Sequence, residues 1–418
     1  MQVAAQRRRV VVTGMGAITP LGLSVEAFWR NLVAGVSGIG PITLCDPSAY
    51  PCRIAGEAPN FDPGQFMSVK EARRMARFTQ LAVAAAQMAV EDAHLDLDRT
   101  DRTRVGVILG NGNGGFPTID ETMRAIVEKG GMRISPFFIP MVLTNMASAT
   151  VSRILGAKGA SSTIATACAA STQSIGDAAE LIRRRAADVV FTGGSEANIS
   201  ELGLAGFCVM RALSSRNEDP QAASRPFDAR RDGFVPAEGA AILVLESLEH
   251  ALSRGANILA EVIGYSATSD AYHPVQPEES GEGAARAIRL ALEDAGVLPE
   301  EVDYINAHGT STPLNDVSET RAIKLAFGDQ AYRVPISATK SMIGHAMGAA
   351  GGMEAVACVK TILTGVMHPT VNYQYPDPEC DLDYVPNVAR QKNVKTVLSN
   401  SFGFGGQNAC LVFRKFEG

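Results

Sequence analysis

The seven cysteines, Cys45, Cys52, Cys168, Cys208, Cys358, Cys380 and Cys410, are odd in number and scattered, and no two form a C-x-x-C pair. That spacing excludes a disulfide frame and a structural zinc site. No run approaches 18 consecutive apolar residues, so no membrane-spanning helix is expected. The opening MQVAAQRRR runs through residues 10–13 into Gly14, too short and turn-rich for a secretory apolar segment, and a reducing cytoplasm is the expected setting. Basic runs are short and the formal charge is −6, which argues against a nucleic-acid backbone as partner; any anionic partner must use a local basic patch. Histidine is sparse as well. None of the six stands in an H-x-x-x-H or two-His-one-carboxylate spacing, which excludes the common metal hydrolases.

What is present is a chain of 418 residues, 46% apolar and rich in glycine, long enough to exceed one hydrophobic core. Short apolar runs recur, each followed by a Gly-rich or polar loop and a helical pattern: residues 10–13 into GMG, 105–109 into GNGNGG, 189–192 into GGSE. This alternation predicts an α/β fold. Ser68-x-x-Glu71 predicts a capping box opening a long helix with Phe78, Leu81, Ala82, Ala85 and Ala89 buried. A second helix is expected after Cys168, with Ile175, Ala179 and Ile182 on one face, and a third through Ile288, Ala291, Leu292 and Ala295, ending at Gly296 before a strand over 302–306.

Two stretches share a plan. In STIATACAAST and in VPISATKSMIGH, a short strand leads through Ala-Thr to one reactive side chain, Cys168 or Lys340, and then into a helix of small residues; VGVILGNGNGG and VDYINAHGTST form a second pair. The repeat predicts two related halves, 1–255 and 256–418, whose equivalent loops converge on one site.

The glycines do not make a nucleotide site. GMGAITPLG lacks the third glycine of G-x-G-x-x-G, GNGNGG lacks a following Lys-Ser/Thr, and tight turns account for most of these residues. Cys168 differs from the other cysteines because it falls at a strand-to-helix turn, where a helix amino terminus favours thiolate and backbone N–H groups can hold an oxyanion. His308 in NAHGTSTP and His345 in KSMIGHAMGAAGG sit in small-residue loops, the second five residues after Lys340. A Cys-His protease would need neither the second histidine nor the lysine. Together they suit acyl transfer to a thiol, with two imidazoles holding the enolate that forms as a malonyl thioester loses carbon dioxide.

In that order and spacing, RVVVTGMGAITPLG, TACAAS, GGSEANIS, RPFDARRDGF, NAHGTSTPLND, ATKSMIGH and NSFGFGG make the chain resemble, over nearly its whole length, the elongating β-ketoacyl-acyl-carrier-protein synthases, condensing enzymes of bacterial fatty-acid synthesis within the thiolase superfamily. The resemblance implies a thiolase-like fold, two βαβαβαββ halves stacked as five layers αβαβα, in a homodimer. It implies Cys168 as acyl-accepting nucleophile, His308 and His345 as decarboxylation residues, and Lys340 as the electrostatic residue, paired with Glu319. Gly403, Phe404, Gly405 and Gly406 match the gating loop, with the Phe404 N–H joining that of Cys168 in the oxyanion hole; on sequence alone GFGG is equally a hairpin turn.

By the same resemblance Thr310 and Thr312 bind the pantetheine arm, Phe234 and Phe402 line its path, and Asn113 stands near the acyl pocket floor. Asn113 either faces the acyl tunnel or holds a turn with positive φ. Lys70, Arg73, Arg74 and Arg77, spaced i, i+3, i+4 and i+7 on the predicted helix, are expected to dock an acidic acyl carrier protein with Arg211. No organic cofactor is implied, since the phosphopantetheine belongs to the carrier; a monovalent cation near Asn306, Glu354 and Asn400 is. The chain departs from the family pattern at Gln407, where threonine is usual, at Ala237 in place of glycine, and at Asn113 in place of an apolar residue. A polyketide ketosynthase would share the four central residues. A non-catalytic chain-length partner would lack Cys168, and a coenzyme A thiolase would carry a second cysteine where GFGG stands.

Overall fold

The computed structural model describes residues 7–418. Ten strands make the main sheet: β1 (Val10–Ile18), β2 (Val105–Gly110), β3 (Ser161–Ile164), β4 (Val189–Glu196), β5 (Gly239–Ser247), β6 (Ala260–Ser269), β7 (Tyr304–Asn306), β8 (Ile336–Ser337), β9 (Thr396–Gly403) and β10 (Gln407–Arg414). Their order is β3-β2-β4-β5-β1-β6-β10-β9-β7-β8. Within each set of five, third, second, fourth, fifth and first strands are neighbours in that sequence. The two sets meet where Val11 and Val12 of β1 pair antiparallel with Glu261 and Ala260 of β6.

The helices relevant to the site are α1 (Val69–Ala72), α2 (Arg77–Asp92), α3 (Met146–Leu155), α4 (Ala170–Arg183), α5 (Glu282–Ala295), α6 (Pro313–Phe327) and α7 (Ala350–Thr364). α4 touches β2 and β4 on one side and β6 and β10 on the other, and α7 packs beside it between β4 and β9. α2 covers β1 and β5 from outside, while α5, with α6 against it, covers β6 and β10. The layers therefore run αβαβα. A helix between two sheets must be apolar or small all round, and residues 350–359 of α7 are all buried. Ile175, Ala179 and Ile182 of α4 are fully buried as their spacing predicts. Among the described residues no helix is long and apolar enough to cross a membrane.

Several expectations need correction. The helix opened by Ser68 is not continuous: α1 ends at Ala72, Ala76 is extended at ψ 159°, and α2 begins at Arg77. Burial of Met75 and Ala76 at the bend, and of the Arg77–Glu238 ion pair, outweighs an unbroken helix. Ser68 does cap α1, accepting the Glu71 N–H at 3.3 Å. The segments GMG and GGSE lie inside β1 and β4 rather than in loops. There the glycines permit close packing, since a Cβ on Gly16 would run into the Ala85 carbonyl of α2 and one on Gly194 into the Ser171 hydroxyl of α4. The strand expected over 302–306 is only Tyr304–Asn306, because Pro299–Glu301 forms a 3-10 turn that Val302 closes.

The internal repeat is also shifted from its expected register. Cys168 lies in the 3-10 turn Ala167–Ala169 that opens α4; the matching turn that opens α7 is Met347–Ala349. Ala167 and Met347 both take positive φ, 50° and 41°. Gly348, not Lys340, is thus the counterpart of Cys168, and Lys340 opens a separate turn, Lys340–Ile343.

Candidate active site

β3 ends at Ile164, and four residues later the chain presents Cys168 at the buried entrance to α4. Burial pushes the Cys168 thiol up to about 11, against the pull of Lys340 and of the Phe404 and Cys168 backbone N–H groups. The helix terminus alone therefore does not give a resting thiolate; desolvation outweighs it. Those two N–H groups bear on the sulfur. Gly403 makes the approach possible: a Cβ there would lie 2.7 Å from the Thr166 carbonyl and 3.1 Å from the Cys168 nitrogen. GFGG is at once a hairpin tip, with Gly403 paired to Gln407, and a wall of the site. Its Gly405 N–H donates to the Pro274 carbonyl at 2.8 Å and its Gly406 carbonyl accepts from Asp270 at 2.9 Å.

His308 follows β7 and His345 precedes the turn that opens α7. The Cys168 Sγ and one ring nitrogen of each histidine lie within 4.8 Å of one another, and the two imidazoles stand edge to face at 5.5 Å. Burial, reinforced by Lys340, holds both well below the usual histidine range, so both are neutral at pH 7. Lys340 Nζ lies 3.3 Å from His308 Nδ1 and donates to the His308 carbonyl at 2.7 Å. An ammonium has no lone pair, so Nδ1 accepts and the proton of His308 resides on Nε2. Neither ring nitrogen of His345 has a hydrogen-bond partner, although the residue is 2% exposed. A Cys-His-His metal site is disfavoured by the donor set itself: in this tautomer Nε2 of His308 presents a proton, not a lone pair.

The expected Lys340–Glu319 pair is not formed. Lys340 Nζ instead makes its ion pair with Glu354 of α7, while Glu319 of α6 accepts the His308 and Gly309 N–H groups, both at 2.8 Å. Glu319 thus fixes the histidine loop, and burial raises its carboxyl to about 7 despite those bonds. Of the cation residues, Asn306 Oδ1 and Glu354 Oε2 are buried acceptors without donors. Asn400 Oδ1 takes only the Cys410 thiol, at 3.3 Å. Oxygen acceptors left unpaired in this way fit a hard monovalent cation.

A cavity of about 330 Å³ reaches Cys168 and both histidines from the surface. Phe234, Thr310, Thr312, Phe402 and Phe404 line it, and Arg211 lies in its wall. The two threonine hydroxyls bond each other at 2.9 Å, and that of Thr312 caps α6. Lys70, Arg73 and Arg74 are exposed. Lys70 and Arg74 border a separate groove with Phe137 and Arg153. Arg77 is not part of that face: its guanidinium binds the fully buried Glu238 through two 2.6 Å bonds. Asn113 is not in the cavity wall. The left-handed position of its loop belongs to Gly114, at φ 63°.

Glu196 and Asn198 of GGSEANIS escaped the sequence reading. Glu196 is fully buried and accepts N–H groups from Gly112 at 2.8 Å, Asn113 at 3.3 Å and Gly348 at 3.1 Å. The one available signal was a carboxylate at the end of a wholly apolar or small strand.

Residues 7–251 match the model of the beta-ketoacyl synthase N-terminal domain, and residues 259–374 that of its C-terminal domain. The chain is 52% identical over 412 residues to the 3-oxoacyl-[acyl-carrier-protein] synthase 2 of Synechocystis sp., covering 99% of each chain. It is 50% identical to that of Staphylococcus aureus, covering 99% of this chain and all of the relative. Among solved structures it resembles the ishigamide ketosynthase/chain length factor, with a TM-score of 0.93 and 40% identity over 98% of this chain and 100% of that one. A type II polyketide ketosynthase in complex with its acyl-carrier protein gives 0.89 and 38%, over 99% and 100%. With both domain models matched over most of its length and relatives half identical across it, the chain belongs to the beta-ketoacyl synthase family.

Proposed function

We propose that the protein is an acyltransferase of fatty-acid elongation that joins malonyl-acyl-carrier-protein to an acyl group held on Cys168, as a 3-oxoacyl-acyl-carrier-protein synthase. The observation that carries this reading is a neutral, buried His345 with both ring nitrogens unpaired, within reach of the Cys168 sulfur and of a second imidazole whose Nε2 bears a proton. Cys168 sulfur attacks the acyl thioester carbonyl; the acyl group passes to sulfur and the carrier thiol leaves with the proton. The malonyl thioester then breaks its carboxylate C–C bond, releasing carbon dioxide, and its enolate oxygen is held by the two imidazole N–H groups. The enolate carbon attacks the acyl-enzyme carbonyl, whose oxygen lies in the Cys168–Phe404 hole. Cys168 thiolate leaves and is reprotonated.

Thr310, Thr312, Phe234 and Phe402 hold the pantetheine arm, and the carrier docks through Lys70, Arg73, Arg74 and Arg211. A monovalent cation at Asn306, Glu354 and Asn400 would take up the lone pairs of the second oxygen of Glu354, which has no hydrogen-bond donor. Halves 1–255 and 256–418 act as one unit in the cytoplasm. A homodimer is supported by β3, which ends the sheet with one edge unpaired and Ser161 and Ser162 exposed, and by exposed Ile139 and Leu143. The second reading, a polyketide ketosynthase subunit, is favoured by the polar Asn113 on the loop tied to Glu196. Incubation with malonyl-carrier and acyl-carriers of graded length, followed by mass analysis, separates the two: successive saturated primers extended by two carbons support elongation, whereas rejection of saturated primers contradicts it.

A further inference from the structure

His368, in the segment that leaves α7, takes no part in the reaction described above. Its backbone is pinned to β8 and the residue after it: the Ser337 hydroxyl donates to the His368 carbonyl at 2.5 Å, and the Ala338 N–H to the Thr370 hydroxyl at 3.0 Å. His368 is fully buried, as are Tyr304, Asn306, Thr339 and Glu354. Burial pushes its imidazole down to about 4, so at pH 7 the ring carries a single proton. Nδ1 lies 3.0 Å from the Pro369 carbonyl, which can only accept; the proton therefore sits on Nδ1, and Nε2 is a lone pair.

Around that lone pair stand the Thr339 hydroxyl at 3.0 Å, the Tyr304 hydroxyl at 3.2 Å and Asn306 Nδ2 at 3.4 Å. Thr339 gives its one proton to His368 and accepts from Asn306 Nδ2 at 2.9 Å. The nitrogen end of the amide thus has its acceptors, while Asn306 Oδ1 is left without a donor, as is Glu354 Oε2. Thr339 directly precedes Lys340, whose ammonium pairs with the other oxygen of Glu354, which brings this relay to the cation residues. Which end of an asparagine amide is the oxygen is decided by such a network. A flipped amide would set its oxygen against the His368 lone pair. We infer that His368 is a positioning residue for the cation site: its lone pair fixes the Asn306 amide so that Oδ1, with Glu354 Oε2, is offered to a monovalent cation. The inference rests on the cation proposed above at Asn306, Glu354 and Asn400. Without that lone pair the Thr339 hydroxyl is free to donate to the amide oxygen, and the flipped amide puts an N–H group where the cation's oxygen ligand stood.

The test is thermal unfolding of the intact protein as KCl replaces N-methylglucamine chloride at constant ionic strength. Potassium bound to the folded state alone raises the midpoint, and the half-saturating concentration reads its affinity. The unaltered protein should show this rise. His368→Leu and the near-isosteric Thr339→Val should each raise the half-saturating concentration about tenfold, the scale of a lost outer-shell partner, whereas His368→Gln, whose amide oxygen can accept from Thr339, should stay within about threefold. A change in the potassium-free midpoint reads packing alone and is set apart from this affinity. Unchanged potassium affinity in Thr339→Val, or in His368→Leu where it folds, would overturn the inference and leave the cation site standing. A loss in His368→Gln as large as in His368→Leu would trace the effect to the shape of the ring and overturn it too. No potassium-dependent rise in the unaltered protein would overturn the cation site and the inference with it.

Discussion

Lys340 Nζ stands 3.3 Å from His308 Nδ1 while it is paired with Glu354. One ammonium therefore does two things: it fixes the tautomer that points an N–H at the substrate, and it neutralises a buried carboxylate. Lys340→Met should lower malonyl decarboxylation about a hundredfold, the usual scale for a lost acid-base group. It should also destabilise the fold by about 3 to 5 kcal/mol, because Glu354 is left buried and alone. The double variant with Glu354→Gln should recover most of the melting temperature but not the rate. Recovery of both would mean that Lys340 serves the fold only.

His308→Ala and His345→Ala should each cost about 3 kcal/mol in the decarboxylation barrier, roughly a hundredfold, with a smaller effect on acyl loading of Cys168. Single-turnover assays of the two half-reactions check this. Equal losses in both steps would make the histidines activators of the thiol. Their depressed titration also has a stability signature. The unfolded chain takes up protons at the usual histidine value of 6.5, the folded chain only well below it. Each imidazole thus contributes stability above that value that is lost as the pH falls, and each Ala variant should lose less stability than the parent between pH 7 and 5.5.

The Cys168 thiol, pushed up to about 11 by burial, sets a pH dependence. Below that value only the thiolate fraction reacts, so alkylation by iodoacetamide should quicken about tenfold per pH unit from 7 to 10. Liquid chromatography and mass analysis of the Cys168 peptide measures it. A plateau near pH 8 would show a thiol activated in the resting protein.

Arg77 and its neighbours should separate cleanly. Reversing Arg73 and Arg74 to Glu should raise KM for carrier-bound substrate, most at low salt, and spare small thioesters. Arg77→Met should instead lower the melting temperature, since Glu238 is fully buried and loses its partner. A carrier-specific KM effect for Arg77→Met without loss of stability would return it to the docking face.

The convergence of Cys168, His308, Lys340 and His345 was legible because the first three follow short strands, His345 follows the turn opened by Lys340, and all four stand in motifs of small residues. Helices α4 and α5 were legible from apolar spacing and, for α5, from Gly296 as its cap. What stayed hidden depends on contacts remote in the chain. Glu354 reaches Lys340 across a turn and a helix entrance, and nothing in GGMEAV marks a partner. The bend at residues 73–76 is set by Glu238, 161 positions from Arg77, so helical periodicity ran on through it and placed Arg77 on the wrong face. The true counterpart of Cys168, Gly348, has no reactive group, and the chemically conspicuous Lys340 drew the comparison eight residues too early. Burial likewise reversed the expected thiolate, because local position shows the helix terminus but not the desolvation.

The most direct test loads Cys168 with a single acyl group, removes free carrier substrate, and adds malonyl-carrier while intact mass is followed for both proteins. Loss of the Cys168 adduct should match, mole for mole, the appearance of a 3-oxoacyl-carrier two carbons longer, and Cys168→Ala should form neither adduct nor product. Release of the acyl group as free acid without a carrier product, or condensation from an adduct on another cysteine, would contradict the account.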